Sequence, residues 1–250
     1  MTIEYLSKNN KKIAYSATAG GSFTLVFLGG FMSDMMGSKA THLENWAKKN
    51  HYGFLRFDYS GHGQSSGNFE GCNISDWVQD TYEIITEKTK GPIILIGSSM
   101  GGWISFLIYQ QLSERVAGIV TIAAAPDFTE DYFWSNLSDR QKSELLSAGR
   151  IFLPSDYDKP YPITLALIEN GRNHLILAKP LKVLCPLRML QGRDDKAVSV
   201  QTAIKLLNHV DCENMHLTLV AKADHSFSAP NCLQILEQTI KEVILQVETS

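Results

Sequence analysis

The chain has 250 residues, of which 44% are hydrophobic and 20% charged, and its formal net charge is −3. This length suits one domain with an insertion, or at most two small domains, and the composition is that of a globular protein. The slight acidity gives no electrostatic reason to expect nucleic acid or an anionic membrane as partner, and Lys11-Lys12 and Lys48-Lys49 are only short pairs.

In chain order, residues 2–7 and 12–18 alternate apolar and polar side chains around Lys8-Asn9-Asn10-Lys11, which predicts a β-hairpin at a sheet edge. The denser apolar run 23–28 predicts a strand buried on both faces, ending at Gly29-Gly30-Phe31. A helix is predicted over 38–50, with Leu43, Trp46 and Ala47 on one face, and a short strand over 53–57. Asp58 to Ser65 is a glycine-rich turn without the ending of a phosphate loop or the spacing of a dinucleotide fingerprint, so His62 within it reads as a packing or hydrogen-bonding residue. Ser75 is the predicted cap of a helix running to about Lys88. A strand over 92–96, a helix over 100–112 and a strand over 116–124 follow.

The alternation then stops. Residues 127–182 are rich in Trp, Tyr, Phe and Pro and read as helical pieces at 131–137, 138–148 and 161–172. Regular alternation resumes with a strand at 186–191, a helix at 200–209, a strand at 216–221 and a closing helix at 230–247. The pattern predicts an α/β core from 1–126 and 183–250, with a mostly parallel sheet covered by helices on both faces and a helical cap inserted at 127–182.

Gly97-Ser98-Ser99-Met100-Gly101 lies between a buried apolar strand and a helix. A serine at such a junction sits on a strained turn, and the small residues flanking it let strand and helix approach. G-x-S-x-G in this context resembles the nucleophile elbow of the α/β-hydrolase superfamily, with Ser99 central. The resemblance implies an eight-stranded sheet and a triad in the chain order serine, acid, histidine. Of the downstream histidines His174, His209, His216 and His225, only His225 lies in a loop just after a late strand, so it is the candidate base. Gln191-Gly192-Arg193-Asp194-Asp195 offers two carboxylates; Asp195 gives the spacing G-x-x-D-x-x-V and is preferred over Asp194. A serine hydroxyl needs such a base, and the base an orienting acid. The backbone N–H groups of Phe31 and Met100 are the candidate oxyanion donors. Tyr132, Phe133, Trp134, Ile151, Phe152 and Leu153 either line an acyl pocket or pack the cap onto the core; Phe133, Trp134 and Phe152 are the candidate substrate contacts.

A closer resemblance lies in the segments Phe27 to Ala40, Arg56 to Gly61 and Gly97 to Trp103. These are similar to the mitochondrial palmitoyl-protein thioesterase and acyl-glucuronide esterase branch and its bacterial relatives. That branch cleaves acyl esters and thioesters, which implies an acyl-enzyme on Ser99 and, as partner, a small acyl ester or thioester or an acylated protein. Two alternatives remain: a serine peptidase of the prolyl-oligopeptidase or aminopeptidase type, for which Glu130-Asp131 is the nearby acidic pair, and a non-catalytic ligand-binding protein of the same fold. No cofactor motif and no metal-ligand spacing is present, and Cys72, Cys185, Cys212 and Cys232 are scattered without a C-x-x-C pair, which reads as reduced thiols. With no leader-like or membrane-spanning run, the expectation is a bacterial cytoplasmic protein, monomeric or homodimeric, without nucleic-acid partners.

Overall fold

The first two strands, β1 (Glu4–Lys8) and β2 (Lys11–Thr18), pair antiparallel as the predicted hairpin. Its Asn9 lies outside the residues described by this computed structural model, which are 2–8, 10–154 and 160–249. The chain continues through β3 (Thr24–Leu28), α1 (Ser38–Lys49), β4 (Gly53–Phe57), α2 (Ile74–Lys88), β5 (Ile93–Ser98), α3 (Met100–Leu112) and β6 (Val116–Ile122). After an intervening segment come β10 (Leu187–Gly192), α6 (Val200–His209), β11 (Val210–Asp211), β12 (Met215–Val220) and α7 (Pro230–Thr249). That segment holds α4 (Asp139–Ala148), β7 (Arg150–Leu153), β8 (Tyr161–Thr164), α5 (Leu165–Arg172) and β9 (Leu181–Lys182).

Among the described residues, eight strands form one sheet in the order β1-β2-β4-β3-β5-β6-β10-β12. The β1–β2 and β2–β4 pairs are antiparallel and the others parallel, so the sheet is mostly parallel, as expected. The apolar strands feed both faces because successive side chains point to opposite sides. Ile93 and Leu95 join one core with Trp77 of α2 and Trp103 of α3. Ile94 and Ile96 join the other with Leu43 of α1 and Leu236 of α7.

Two local expectations need correction. Asn73, not Ser75, caps α2: its side chain accepts from Asp76 N–H, and the Asp76 carboxylate accepts from Asn73 N–H, a reciprocal capping box. Ser75 lies inside the first turn. The predicted helical piece 161–172 is a strand followed by a helix. β8 pairs antiparallel with β7, with Pro162 opposite Phe152, and Thr164 caps α5 by accepting from Leu167 N–H. Pro162 disfavours helix at the residue before it and removes a donor, while the β-branched Ile163 and Thr164 suit a strand. The pieces 131–137 and 138–148 correspond to a π-helix at Thr129–Trp134 and to α4, capped by Ser138. Residues 155–159 of the expected cap lie outside the described residues.

The segment between β6 and β10 contributes no described strand to the large sheet; it is tied to itself through Asp127 and to α2 and α3 through Asn170 and His174. Near its start, Asp127 accepts from Ile176 N–H (2.8 Å) and Leu177 N–H (2.9 Å). Further along, Asn170 and His174 bond Ser75 of α2, and Trp103 Nε1–H donates to the His174 carbonyl.

Candidate active site

Ser99 stands between β5 and α3 with φ 55° and ψ −118°, a conformation that costs a non-glycine residue energy and persists only where its surroundings enforce it. The enforcement is visible: Ser99 N–H donates to Ile122 O, and its own carbonyl accepts from Gly102 and Ala125 N–H. The glycines of the motif are demanded by contact. A Cβ on Gly101 would lie 2.1 Å from Leu28 O, and one on Gly97 would lie 2.3 Å from Gly101 O. The close crossing of α3 over β3 and β5 therefore needs both positions bare.

The loop after β12 carries His225 to this serine. Phe227, fully buried in the α1–α7 core, anchors the loop. His225 Nε2 lies 3.1 Å from Ser99 Oγ, and Nδ1 lies 2.9 Å from Asp195 Oδ2. A carboxylate only accepts, so Nδ1 carries the proton and the Nε2 lone pair faces the Ser99 hydroxyl. Asp195 is held in turn: Oδ1 accepts from Ala197 and Val198 N–H, both at 2.8 Å, and Oδ2 accepts from Gln191 Nε2. Its side chain is wholly shielded from solvent, whereas Asp194 points outward beside Arg193. The structure thus brings Ser99, His225 and Asp195 together and leaves Asp194 outside.

The N–H groups of Phe31 and Met100 donate to no protein acceptor among the described residues. Met100 opens α3, where the first helical N–H groups have no intrahelical partner. The Phe31 ring packs edge-on against Phe69, Trp77, Phe128, Phe133 and Tyr161, with centroids 5.0–6.0 Å away. That cluster fixes the loop after β3. The next residue is fixed by His62, which hydrogen-bonds as its reading from sequence expects: Nε2 accepts from Met32 N–H, while Nδ1–H donates to the Ser60 carbonyl. Burial keeps His62 neutral, lowering its pKa to about 4. Asp58 of the same turn accepts from Met35 N–H (2.6 Å) and Gln64 N–H (2.8 Å). The glycine-rich turn is therefore a scaffold for the loop after β3.

A cavity of about 610 Å³ opens over Ser99. Phe31, Phe128, Tyr132, Phe133, Pro154 and Tyr161 form an apolar wall, while Ser38, Lys39, Lys196, Ser199 and Thr202 are among its polar lining residues. Of the three candidate substrate contacts, Phe133 lines the cavity and Trp134 and Phe152 do not. Adjacent helical residues project in different directions, and Trp134 packs beneath the Arg172 guanidinium at 4.7 Å. Phe152 alternates outward on β7, 55% exposed, while its neighbour Ile151 is buried. Lys39 is a lining residue that the sequence reading missed. Its ammonium donates to the carbonyl of Ser226, the residue after His225. Burial lowers its pKa to about 8, against the opposing pull of Asp224 and Asp195. Among the described residues no cluster of His, Cys, Asp and Glu could hold a metal.

The profile of the family described as serine aminopeptidase, S33, matches residues 24–154. Bovine mitochondrial palmitoyl-protein thioesterase ABHD10 is 32% identical over 251 residues, covering 99% of this chain and 82% of that protein. The chain belongs to the ABHD10 family of α/β-hydrolases. Mouse α/β-hydrolase domain-containing protein 10 superposes on this family member with a TM-score of 0.92 at 29% identity, covering 99% of this chain and all of that one. A hydrolase structure from Agrobacterium vitis S4 gives the same TM-score at 35% identity, over 98% of this chain and all of its own. The serine aminopeptidase profile takes in the ABHD10-family elbow and ends before Asp195 and His225.

Proposed function

We propose that this chain is a serine hydrolase of carboxylic esters and thioesters, acting through an acyl-enzyme on Ser99. The observation that carries the reading is the hydrogen-bonded chain Ser99–His225–Asp195 at the foot of a partly apolar cavity. The Ser99 hydroxyl attacks the carbonyl carbon while His225 Nε2 takes its proton. Phe31 and Met100 N–H receive the developing oxyanion. The tetrahedral intermediate collapses, the C–O or C–S bond breaks, and His225 returns the proton to the departing oxygen or sulfur. A water, deprotonated by His225, then attacks the acyl-serine; the acid leaves and Ser99 regains its proton. Asp195 stabilises the imidazolium formed in each half-reaction.

The wall of Phe31, Phe128, Phe133 and Tyr161 suits an acyl chain, and residues 127–182 act as the cap that supplies much of it. The name of the bovine relative supports an S-acylated protein as one substrate, alongside small acyl esters and thioesters. The proposed setting is the cytoplasm: the four cysteines are free thiols, which suits a reducing compartment, and among the described residues no helix is long and apolar enough to cross a membrane.

The family profile's description favours a second reading, an aminopeptidase. The acidic pair that would hold a substrate amine is, however, engaged: Glu130 pairs with Arg172 at 2.7 Å and Asp131 with Lys205 at 2.6 Å. Parallel assays of an acyl ester, the matching acyl thioester and a peptide amide, on wild type and Ser99→Ala, test the proposal. Turnover of ester and thioester but not amide, lost in Ser99→Ala, is expected. Wild-type turnover rates in Ser99→Ala would overturn it.

A further inference from the structure

We infer that Lys39 recognises an anionic group, carboxylate or phosphate, carried on the leaving alcohol or thiol of the substrate. The inference rests on the Ser99 reading above and deepens it.

The starting point is where a leaving group must pass. His225 Nε2 hands a proton to the departing oxygen or sulfur, so the departing fragment lies against His225 and not against the aromatic wall beside the loop after β3. The next residue along that side is Ser226, and the Lys39 ammonium is bonded to its carbonyl. Lys39 therefore flanks the exit of the leaving group, reaching it from the first turn of α1, 187 residues away in sequence.

The amine can take a partner beyond the Ser226 carbonyl. An ammonium has three N–H donors. Among the described residues one of them is used, and no carboxylate stands within ion-pair distance of Nζ. Its surroundings are otherwise poor in solvent, which is why its pKa falls to about 8 even though Asp224 and Asp195 pull upward. Placing a cation in a partly desolvated wall without a carboxylate at ion-pair distance is costly, and an incoming anion in direct contact would offset that cost.

The rest of the cavity agrees in sign. Three lysines line it, Lys39, Lys196 and Lys205, against two aspartates, Asp34 and Asp131, in a chain whose net charge is −3. Lys205 and Asp131 neutralise each other in their ion pair, while Asp34, which accepts from Met36 N–H at 2.8 Å, keeps its negative charge. Lys39 and Lys196 against Asp34 leave these lining lysines and aspartates with an excess of positive charge. The apolar wall holds no basic group to compete for an anion, so the acyl and leaving fragments are sorted by polarity.

Three butyryl thioesters test this: one with 3-mercaptopropionate as leaving thiol, one with 2-mercaptoethyl phosphate, and one with the neutral 3-mercaptopropionamide. At pH 7, wild type should show a kcat/KM at least about tenfold higher for an anionic thioester than for the amide, the size expected for one charge-assisted contact. Comparison of the carboxylate and phosphate arms identifies the anion preferred. Lys39→Met should bring the ratio close to one, and Lys39→Arg should preserve most of it. The ratio for the carboxylate substrate should also fall in wild type as pH rises through about 8, where Lys39 loses its proton. The neutral amide substrate, measured at each pH, is the control for the other groups facing the site: His225, Lys196, Asp34, Asp195, Asp224 and the Asp131–Lys205 pair. This wild-type pH series decides the matter if Lys39→Met does not fold. A ratio near one in wild type, or an unchanged ratio in Lys39→Met, would overturn the inference while leaving Ser99 chemistry intact. Turnover of all three substrates by Ser99→Ala would instead overturn the reading on which it rests.

Discussion

Asp195 accepts four hydrogen bonds, three from Gln191, Ala197 and Val198 and the fourth from His225, so its position survives a change of one atom. Asp195→Asn keeps the shape and exchanges an acceptor oxygen for a donor NH₂, which favours the wrong tautomer of His225. Steady-state kinetics on an acyl ester should show kcat reduced by about 10³–10⁴-fold with KM little altered. His62 gives a second prediction, on stability. Its folded pKa of about 4 lies below the unfolded value near 6.5, so between those pH values the unfolded chain binds more protons. The stabilisation is complete above pH 6.5 and is lost as pH falls towards 4, a total of about 3 kcal/mol. Denaturant unfolding at pH 7, 5.5 and 4 should show a loss of stability in wild type that is smaller by that amount in His62→Gln. Ser99, Asp195 and His225 were legible because each sits at a strand end in a recognisable spacing. The partnership of His62 with Met32 N–H was not, because a backbone donor 30 residues away leaves no trace in local pattern. Lys39 was hidden for the same reason: it resembles any lysine in the first turn of a surface helix.

At the scale of elements, the crossing of α3 over β3 is the most constrained contact. Gly101→Ala would force a Cβ to within 2.1 Å of a backbone oxygen that has nowhere to retreat inside the sheet. The expected outcome is a loss of about 1–3 kcal/mol in thermal or denaturant unfolding, together with most activity, because the displaced helix carries Met100 N–H away from Ser99. Asn73→Ala removes a cap that does not line the cavity and should cost about 1 kcal/mol with kcat unchanged. Ser75→Ala leaves that cap intact and instead deletes the hydroxyl shared by Asn170 and His174. The strands of the large sheet could be read from sequence because they are short apolar runs closed by turn residues. The start of α2 was misread by two residues because Asn73 and Ser75 are both good caps, and only the reciprocal bond with Asp76 decides between them. Residues 161–164 were misread because an aromatic, a proline and two β-branched residues precede a true helix, and their pairing with 150–153 is a tertiary fact.

For the molecule as a whole, the sheet, its two flanking cores and the His225 loop form a scaffold that aligns three side chains from widely separated parts of the chain. Phe128, Tyr132, Phe133, Pro154 and Tyr161 of the segment 127–182 line the cavity, and this segment is where sequence was least informative. Its aromatics were recognisable as a group, yet only Phe133 of the three candidate contacts reaches the cavity. Which aromatic faces inward depends on helical phase and strand alternation, and both are set by how the segment folds on Asp127 and docks through Asn170 and His174. The central claim is that Ser99 is the nucleophile, and its most direct measurement is site mapping after reaction with a fluorophosphonate probe. Wild-type protein should carry the probe on the peptide containing Ser99, and Ser99→Ala should carry none. Stoichiometric labelling of wild type on any other peptide, or undiminished labelling of Ser99→Ala, would contradict that claim.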